Sequence, residues 1–313
     1  MKPIRKKSRM LTNAKGMDDF LSLLATYINS FFMLDFIQFY GVLNEYDGHI
    51  QEIEELIETI GILDSAIAAA SFRVFLPFWS LPVFIDEKQA CLEVQDLYHP
   101  LIPDPVTNSI SISKGVLITG SNASGKSTFL KMIAVNTILS QSIHTCMASK
   151  YRAVKFKVMT SMALHDNLLG GESYFIVEIK SLKRILDEAD NVEPLLCIID
   201  EVLRGTNTIE RIAASSEILS ALNLPHVVCF AATHDIELSL ILKDVYENYH
   251  FEEEVLENDV KFNYLLKPGS ANSRNAITLL EKLGYDKKIV KGAREEAEIF
   301  ETKAVWKPVK GGR

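Results

Sequence analysis

The sequence predicts an α/β fold in which helices flank a mainly parallel sheet, preceded by an α-helical hairpin. Two observations predict the sheet. Short apolar strands alternate with helical segments after residue 111, and a glycine-rich turn joins the first of these strands to a helix. A third observation predicts the hairpin, since two long segments with helical apolar spacing precede residue 75.

The composition is that of an ordinary globular protein with room for one large or two modest domains. The 313 residues include 33 basic and 41 acidic side chains, which gives a net charge of −8, and 48% are hydrophobic. This balance excludes a disordered or collagen-like chain. It also argues against a small, uniformly basic nucleic-acid binder, so any contact with DNA has to come from local patches or from a dimer.

The N-terminal segment predicts a buried helix rather than a membrane anchor. The first ten residues are rich in basic side chains, but Asp18 and Asp19 interrupt the change to apolar sequence. Residues 20–34 are uncharged, a stretch shorter than the roughly 20 residues that span a bilayer. The four cysteines form no disulfide or zinc pattern, as is typical of free thiols in a reducing cytosol. We therefore expect a cytoplasmic protein.

Residues 1–75 are predicted to form a helical arm. One helix is expected over residues 18–45 and a second over 49–70, where isoleucines recur at steps of three or four residues. Tyr46, Asp47 and Gly48 are predicted to form the turn between them, so the two helices should fold back as an antiparallel pair.

Residues 76–110 are expected to be a linker, since five of the ten prolines lie there, with one strand near residues 91–94. The α/β domain follows over residues 111–303, and residues 304–313 form a basic tail. Its predicted strands are 115–119, 155–162, 195–200, 227–231, 246–252 and 260–266, and its predicted helices are 126–140, 173–189, 209–222, 235–242, 274–283 and 286–300.

The turn after the first strand of this domain has the spacing of a phosphate-binding loop, G-x-x-x-x-G-K-[ST]. The glycines let backbone N–H groups turn towards phosphate oxygens, and the N-terminus of the next helix favours negative charge. Lys126 is expected to reach the β- and γ-phosphates, and the Ser127 hydroxyl to bind Mg²⁺. The segment predicts a nucleotide site formed by Gly120, Ser121, Asn122, Ala123, Ser124, Gly125, Lys126, Ser127 and Thr128.

Two later strands end in residues suited to phosphate chemistry. Asp200 and Glu201 follow the apolar segment 195–199. Asp200 is expected to hold Mg²⁺ through its water shell, and Glu201 to act as general base on the attacking water. His234 follows the next apolar strand, at the edge of the sheet where ligands bind in such folds, and is expected to contact the γ-phosphate or the water.

These segments resemble a known family. The runs SNASGKSTFLK, IIDEVLRGTNT and FAATHD, in this order, are similar to the C-terminal ATPase domain of the MutS mismatch-repair family. Residues 172–178 and 269–275 also resemble segments of that domain, and the likeness covers about residues 90–300. It implies a P-loop NTPase fold of the ABC type, binding of ATP and Mg²⁺, and the residue roles given above. The helical pair is a weaker match, to the end of the family's lever arm.

The resemblance also implies a homodimer with composite ATP sites. Ser173 matches the serine that meets the γ-phosphate bound by the other subunit; read by itself, it is also a suitable helix cap. Val106 and Asn108 match the adenine-side segment. Tyr264 stands where the family has a histidine that stacks on adenine, and a tyrosine ring can stack as well.

The sequence leaves more than one function open. The first is a dimeric, DNA-associated ATPase in mismatch repair or a related DNA transaction, although nothing in these residues matches the family's mismatch-reading domain. The alternative is a MutS-related or ABC-type ATPase that does not act on mismatches, since residues 169–173 faintly resemble a transporter signature. A third is a non-enzymatic nucleotide switch docked on a membrane or partner. The basic side chains of segment 150–157 suit either DNA phosphates or, more simply, a solvated edge.

Overall fold

A computed structural model describes residues 27–121, 124–162, 174–255, 260–271, 276–282 and 284–303. The chain divides into two compact units, Met1–Val74 and Phe75–Arg313. All four cysteines are free thiols, and three of them are buried. None of the helices among the described residues combines the length and the apolar composition needed to cross a bilayer.

The first unit is helical, but its predicted antiparallel pair is not confirmed. Helices α1 (Leu34–Gly48) and α2 (Ile50–Phe75) are separated by His49 alone, so the predicted turn at 46–48 lies within α1. The backbone N–H of His49 donates to Tyr46, and the carbonyl of His49 accepts from Ile53, so the chain passes directly from one helix into the next. A hairpin between helices needs a loop of about 2–5 residues. Neither α1 nor α2 contributes a buried side chain.

The second unit contains a six-stranded sheet with helices packed on it, so the predicted α/β layer is confirmed. The strands are β4 (Gly115–Thr119), β6 (Lys157–Ser161), β7 (Leu195–Asp200), β8 (Val227–Ala232), β9 (Tyr246–Val255) and β10 (Val260–Pro268). Their order in the sheet is β10-β9-β4-β8-β7-β6. All neighbouring strands run parallel except the antiparallel pair β9 and β10.

The helices of this unit connect the strands or follow the last of them. They are α3 (Lys126–Ile143), α4 (Tyr174–Ala189), α5 (Thr208–Ala221), α6 (Ile236–Ile241), α7 (Ala276–Lys282) and α8 (Lys287–Lys303). Because successive side chains of a strand point to opposite faces, β4 sends Val116 and Ile118 into a core with Ile133 of α3. Leu117 of the same strand packs with Leu182 of α4. The central strands are therefore buried on both faces.

The second unit also contains a four-stranded sheet; three of its strands lie in or at the end of the predicted linker, and the fourth follows α3. Its order is β1-β5-β2-β3, with β1 (Val83–Phe84), β2 (Leu92–Leu97), β3 (Asn108–Ile112) and β5 (Lys150–Ala153). Only β2 is anticipated by the sequence, at residues 91–94. The other strands have two to five residues, too short for a clear apolar alternation.

The basic segment near β5 makes local ion pairs. Lys150 contacts Glu93 at 2.5 Å, and Lys157 contacts Glu188 at 2.7 Å. Arg152 lies between Glu87 and Glu93, at 3.4 and 3.9 Å. Three of the four basic side chains of this segment therefore have acidic partners within the chain, as expected of a solvated edge.

Gly115→Ala is expected to destabilise the second unit by about 1–3 kcal/mol. A Cβ at Gly115 would overlap the Tyr246 ring, which is 1% exposed. The ring cannot move freely, because its hydroxyl donates to the carbonyl of Leu219 at 2.8 Å. Denaturant unfolding measures the effect. The control is Gly292→Ala in α8, where a Cβ meets nothing within 4 Å and stability should not fall. Equal unfolding midpoints for the two variants would contradict the prediction.

Candidate functional site

The loop between β4 and α3 has the backbone of an anion-binding turn. Gly120 has φ 144° and Gly125 has φ 108°, conformations that glycine adopts without strain. Gly125 directly precedes α3 and provides no side-chain cap, so the first N–H groups of the helix remain available to a ligand. Asn122 and Ala123, also predicted to bind phosphate, lie outside the described residues.

Lys126 begins α3 and lies under this loop. Its side chain is 5% exposed, and Nζ donates to the carbonyl oxygens of Gly120 at 2.8 Å and Ser121 at 2.7 Å. Burial lowers the pKa of Lys126 to about 8, although the carboxylates of Glu201, Asp200 and Glu253 oppose this shift. A partly desolvated cation of this kind is stabilised by an incoming anion.

Ser124 provides an unsatisfied polar atom in the same loop. Its side chain is 1% exposed, and its Oγ has no hydrogen-bond partner among the described residues. Buried hydroxyls in proteins are nearly always hydrogen-bonded, so an unpaired one indicates a place for a ligand. Ser127 and Thr128, in the first turn of α3, line the cavity that Ser124 also lines.

This cavity has a volume of about 700 Å³, within the range of small-molecule sites. Six of the nine predicted loop residues line it, all but Gly120 among those that the structure describes, and so do Val106, Asn108 and Tyr264. These loop residues and the predicted adenine-side residues therefore share one cavity. Glu201 and His234 line it too.

Glu201 and His234 are brought together by the parallel pairing of β7 and β8, in which Asp200 is the partner of Ala232. His234 Nε2 lies 2.6 Å from Glu201 Oε1. On the other side of the ring, Nδ1 lies 3.1 Å from the Gly120 carbonyl and 3.5 Å from Lys126 Nζ. A chain of polar contacts thus runs from the phosphate loop through His234 to Glu201.

Glu201 is held as a carboxylate. The hydrogen bond to His234 is the largest cause that lowers its pKa, and the charges of His234, Arg204 and Lys126 add to it. Its second oxygen lies 2.9 Å from Arg204 Nε. The residue has φ 61°, a left-handed conformation that is uncommon outside glycine. Such strain is typical of functional sites.

Asp200 lies at the carboxyl end of β7 and is partly exposed. Its charge acts on Lys126, where it opposes the lowering of the pKa. Ser127 follows Lys126 directly in α3. Ser127 lines the cavity, whereas Asp200 is not among its lining residues.

Asn108, which lines the cavity, also contacts β10. Its Nδ2 donates to the Tyr264 carbonyl at 3.1 Å, and its Oδ1 accepts from the backbone N–H of Leu266 at 2.7 Å. The amide is thus engaged by β10 and positions Tyr264. The tyrosine has φ 54°, at a register shift in β10, and its ring lies against Gly125, where a Cβ would be 3.1 Å away.

Three residues at the site, Glu253, Phe262 and Arg211, carry no clear sequence signal. The carboxylate of Glu253 in β9 accepts a hydrogen bond from Ser121 Oγ. Phe262 stacks with Tyr264, with ring centroids 6.0 Å apart; only the aromatic–x–aromatic spacing in β10 could have indicated it. Arg211 forms two hydrogen bonds of 2.7 Å with the carboxylate of Asp235, next to His234.

Ser173 lies outside the described residues, and α4 begins at the next residue, Tyr174. Its predicted contact with a nucleotide on another subunit stays a prediction.

Comparison with known proteins identifies the family. Residues 116–301, more than half of the chain, match the family described as MutS domain V. The chain belongs to the MutS family. The match begins in β4 and ends in α8, so it includes the phosphate loop, Glu201 and His234. Val106 and Asn108 lie before it.

Individual MutS proteins give the same result. The chain is 28% identical over 274 residues to the DNA mismatch repair protein MutS of Natronomonas pharaonis, which covers 84% of this chain and 31% of that protein. It is 32% identical over 180 residues to that of Thermus thermophilus, covering 57% of this chain and 22% of that protein. It is 30% identical over 252 residues to human MutS protein homolog 4, covering 75% of this chain and 26% of that protein. The chain thus spans less than a third of the length of these relatives.

Proposed function

We propose that this protein is a MutS-like ATPase that binds and hydrolyses ATP with Mg²⁺ as cofactor. The observation that carries the proposal is the chain of contacts from the phosphate loop through His234 to Glu201, on the wall of one cavity. A phosphate loop alone is compatible with any nucleotide-binding protein. Hydrolysis also needs a group that activates water, and Glu201, which His234 keeps ionised, is a carboxylate next to the loop.

The residues present fit ATP with its metal ion. The unpaired Ser124 Oγ, the positive-φ glycines and the buried Lys126 suit a triphosphate, and the cavity of about 700 Å³ suits a nucleotide. Gly120 to Thr128 bind the phosphates in this proposal, and Val106 and Tyr264 contact the adenine. Ser127 and Asp200 hold Mg²⁺, which supplies neutralisation of phosphate charge when bound.

Glu201 accepts a proton from the attacking water, and His234 orients its carboxylate. Both carboxylate oxygens are engaged, one by His234 and one by Arg204. The Arg204 side chain is 67% exposed, and exposed ion pairs contribute little free energy. The water therefore takes the place of Arg204, while His234 stays in contact.

The active form is a homodimer in this proposal, and DNA is its partner. Ser173 of one subunit meets the γ-phosphate bound by the other, which makes each ATP site composite. The support comes from the relatives, which are named as DNA mismatch repair proteins. No feature of the described residues favours the alternative, a MutS-related or ABC-type ATPase that does not act on mismatches.

The test is the ATPase rate of the purified protein without DNA and with homoduplex, mismatched and branched DNA. Mg²⁺-dependent hydrolysis supports the enzyme, and stimulation by one DNA form supports the partner. Hydrolysis that is equal in all four conditions contradicts the DNA part alone. Absence of hydrolysis by a dimer that binds ATP contradicts the enzymatic part.

ATP affinity is expected to fall as the pH rises above about 8. Lys126 has a pKa of about 8 without ligand, and phosphate oxygens favour its charged form, so ATP raises that pKa. Between about pH 8 and the pKa of the bound state, ATP binding then takes up a proton, and Kd rises by up to about tenfold per pH unit. Calorimetry at pH 9 in two buffers of different ionisation enthalpy measures this proton uptake. The control is Lys131→Ala, in which ATP binding should still take up a proton. If ATP binding to the wild type takes up no proton, the prediction is refuted.

A further inference from the structure

Glu178, in the second turn of α4, is a buried acid that the proposed chemistry does not use. Its side chain is 1% exposed. Its Oε1 accepts a hydrogen bond from the backbone N–H of Arg204 at 3.3 Å, while Oε2 is buried without a partner among the described residues. Burial raises the pKa of this carboxyl group, and the backbone N–H groups of Arg204 and Leu203 oppose the rise. A buried acid is costly, so it needs a reason to be there.

The segment that Glu178 contacts is strained. Glu201 has φ 61° and Leu203 has φ 56°, left-handed conformations that strain a non-glycine backbone. Such conformations persist only where surrounding contacts fix them. Since the N–H of Arg204 follows Leu203 directly, the hydrogen bond from Glu178 acts at the strained backbone itself.

Three other contacts hold the same segment. The N–H of Glu201 donates to the Ala232 carbonyl at 3.0 Å, and Ser215 Oγ donates to the Val202 carbonyl at 3.3 Å. Gly205 packs so closely on Phe175 that a Cβ would lie 3.0 Å from that side chain. The first two turns of α4 thus touch the segment twice, through Phe175 and through Glu178.

We propose that Glu178 is a positioning residue for ATP hydrolysis: by fixing the backbone at Leu203 and Arg204, it holds the Glu201 carboxylate against His234. The inference rests on the proposed function and deepens it. Without the acceptor at 178, the Arg204 N–H loses its partner and the left-handed residues relax. Glu201 then moves from the 2.6 Å contact with His234. A displacement of about 1 Å in such a group can cost 10²-fold in rate.

The test compares Glu178→Ala, Glu178→Gln and Ser181→Ala. Glutamine keeps an oxygen acceptor for the Arg204 N–H. Ser181 is a matched control, since its Oγ is buried in the same helix without a partner among the described residues. In Glu178→Ala we expect kcat to fall roughly 10- to 100-fold, while the Kd for ATP stays within about twofold of the wild-type value. In Glu178→Gln and Ser181→Ala we expect kcat to stay within about threefold of the wild-type value.

A double variant separates positioning from general damage. If Glu178 acts through Glu201, Glu178→Ala should not lower the residual rate of Glu201→Gln any further. Normal kcat in Glu178→Ala would overturn the proposal. So would an equal loss of ATP binding and kcat, or a Glu178→Gln variant as slow as Glu178→Ala.

Hydrogen exchange distinguishes failure of this inference from failure of the proposed function. In the nucleotide-free protein, amides of residues 202–206 should exchange roughly tenfold faster in Glu178→Ala than in Ser181→Ala. If the wild type hydrolyses no ATP, the proposed function fails and this measurement still decides whether Glu178 holds the segment. Equal exchange in both variants would show that it does not.

Discussion

Replacing Glu201 with glutamine is expected to lower ATP turnover about 10³-fold and to leave ATP binding within about twofold of the wild type. Glutamine has nearly the shape of glutamate and keeps an oxygen that can accept from His234 Nε2, now 2.6 Å away. It cannot take a proton from water. The loss therefore falls on the chemical step and not on the binding of the phosphates.

The lowered pKa of Glu201 limits its strength as a base. The hydrogen bond to His234 and the charges of His234, Arg204 and Lys126 keep the pKa of Glu201 below its ordinary value. The carboxylate is therefore ionised at every pH near neutrality. It is a weak base in this state, so its contribution comes from orienting and polarising a water as much as from taking its proton.

Single-turnover hydrolysis and equilibrium binding of ATP, measured on the same preparation, test the prediction. The matched control is Glu217→Gln, the same substitution at an exposed position of α5, which should change neither value. A Glu201→Gln variant that turns over at the wild-type rate would show that another group activates the water. A loss of binding as large as the loss of rate would show that Glu201 is part of the binding surface instead.

The part of the site that could be predicted is the part that the sheet brings together. Carboxyl ends of adjacent parallel strands meet at one edge, so apolar runs ending in Glu201 and close to His234 place the two side chains together. The phosphate loop is predictable for a related reason, since its contacts are local: Lys126 Nζ bonds to carbonyls five and six residues away.

The contacts that could not be predicted join distant segments through single atoms. Asn108 bonds to Tyr264, 156 residues further along the chain, and Glu178 to Arg204, 26 residues further. Nothing in the local pattern distinguishes these side chains from solvated ones. Three strands of the four-stranded sheet carry no clear signal because they are short, and β1 and β3 also lie in or next to a proline-rich segment. Asp47 and Gly48 predict a turn, but helical hydrogen bonding continues through both.

Lys126→Ala is expected to raise the Kd for ATP by at least about 10²-fold. The ammonium is placed under the loop by two carbonyl oxygens, those of Gly120 and Ser121, at 2.8 and 2.7 Å. A hydrogen bond to a charged group contributes about 1.5–3 kcal/mol, so loss of two such bonds to phosphate oxygens corresponds to 10²–10⁴-fold. In addition, the carbonyls of Gly120 and Ser121 lose their donor and then repel the phosphates.

The same substitution separates binding from folding. At pH 7 the wild-type lysine is charged although burial lowers its pKa to about 8. Folding disfavours that charged form by about 3 kcal/mol, a cost that is fully present below pH 8 and is relieved as the pH rises towards 10.5. Lys126→Met keeps the aliphatic stem and removes the charge. Its nucleotide-free stability at pH 7 should therefore equal or exceed that of the wild type, while ATP binding is lost.

Calorimetric titration with ATP and denaturant unfolding without ATP measure the two quantities. Lys131→Ala is the control, because this lysine is exposed in the same helix and outside the cavity lining, and it should alter neither. If Lys126→Met still binds ATP with wild-type affinity, the loop does not hold the triphosphate and the proposed function fails. If it loses binding and stability together, the lysine mainly supports the fold. Loss of ATP binding without loss of stability in Lys126→Met is the result we expect.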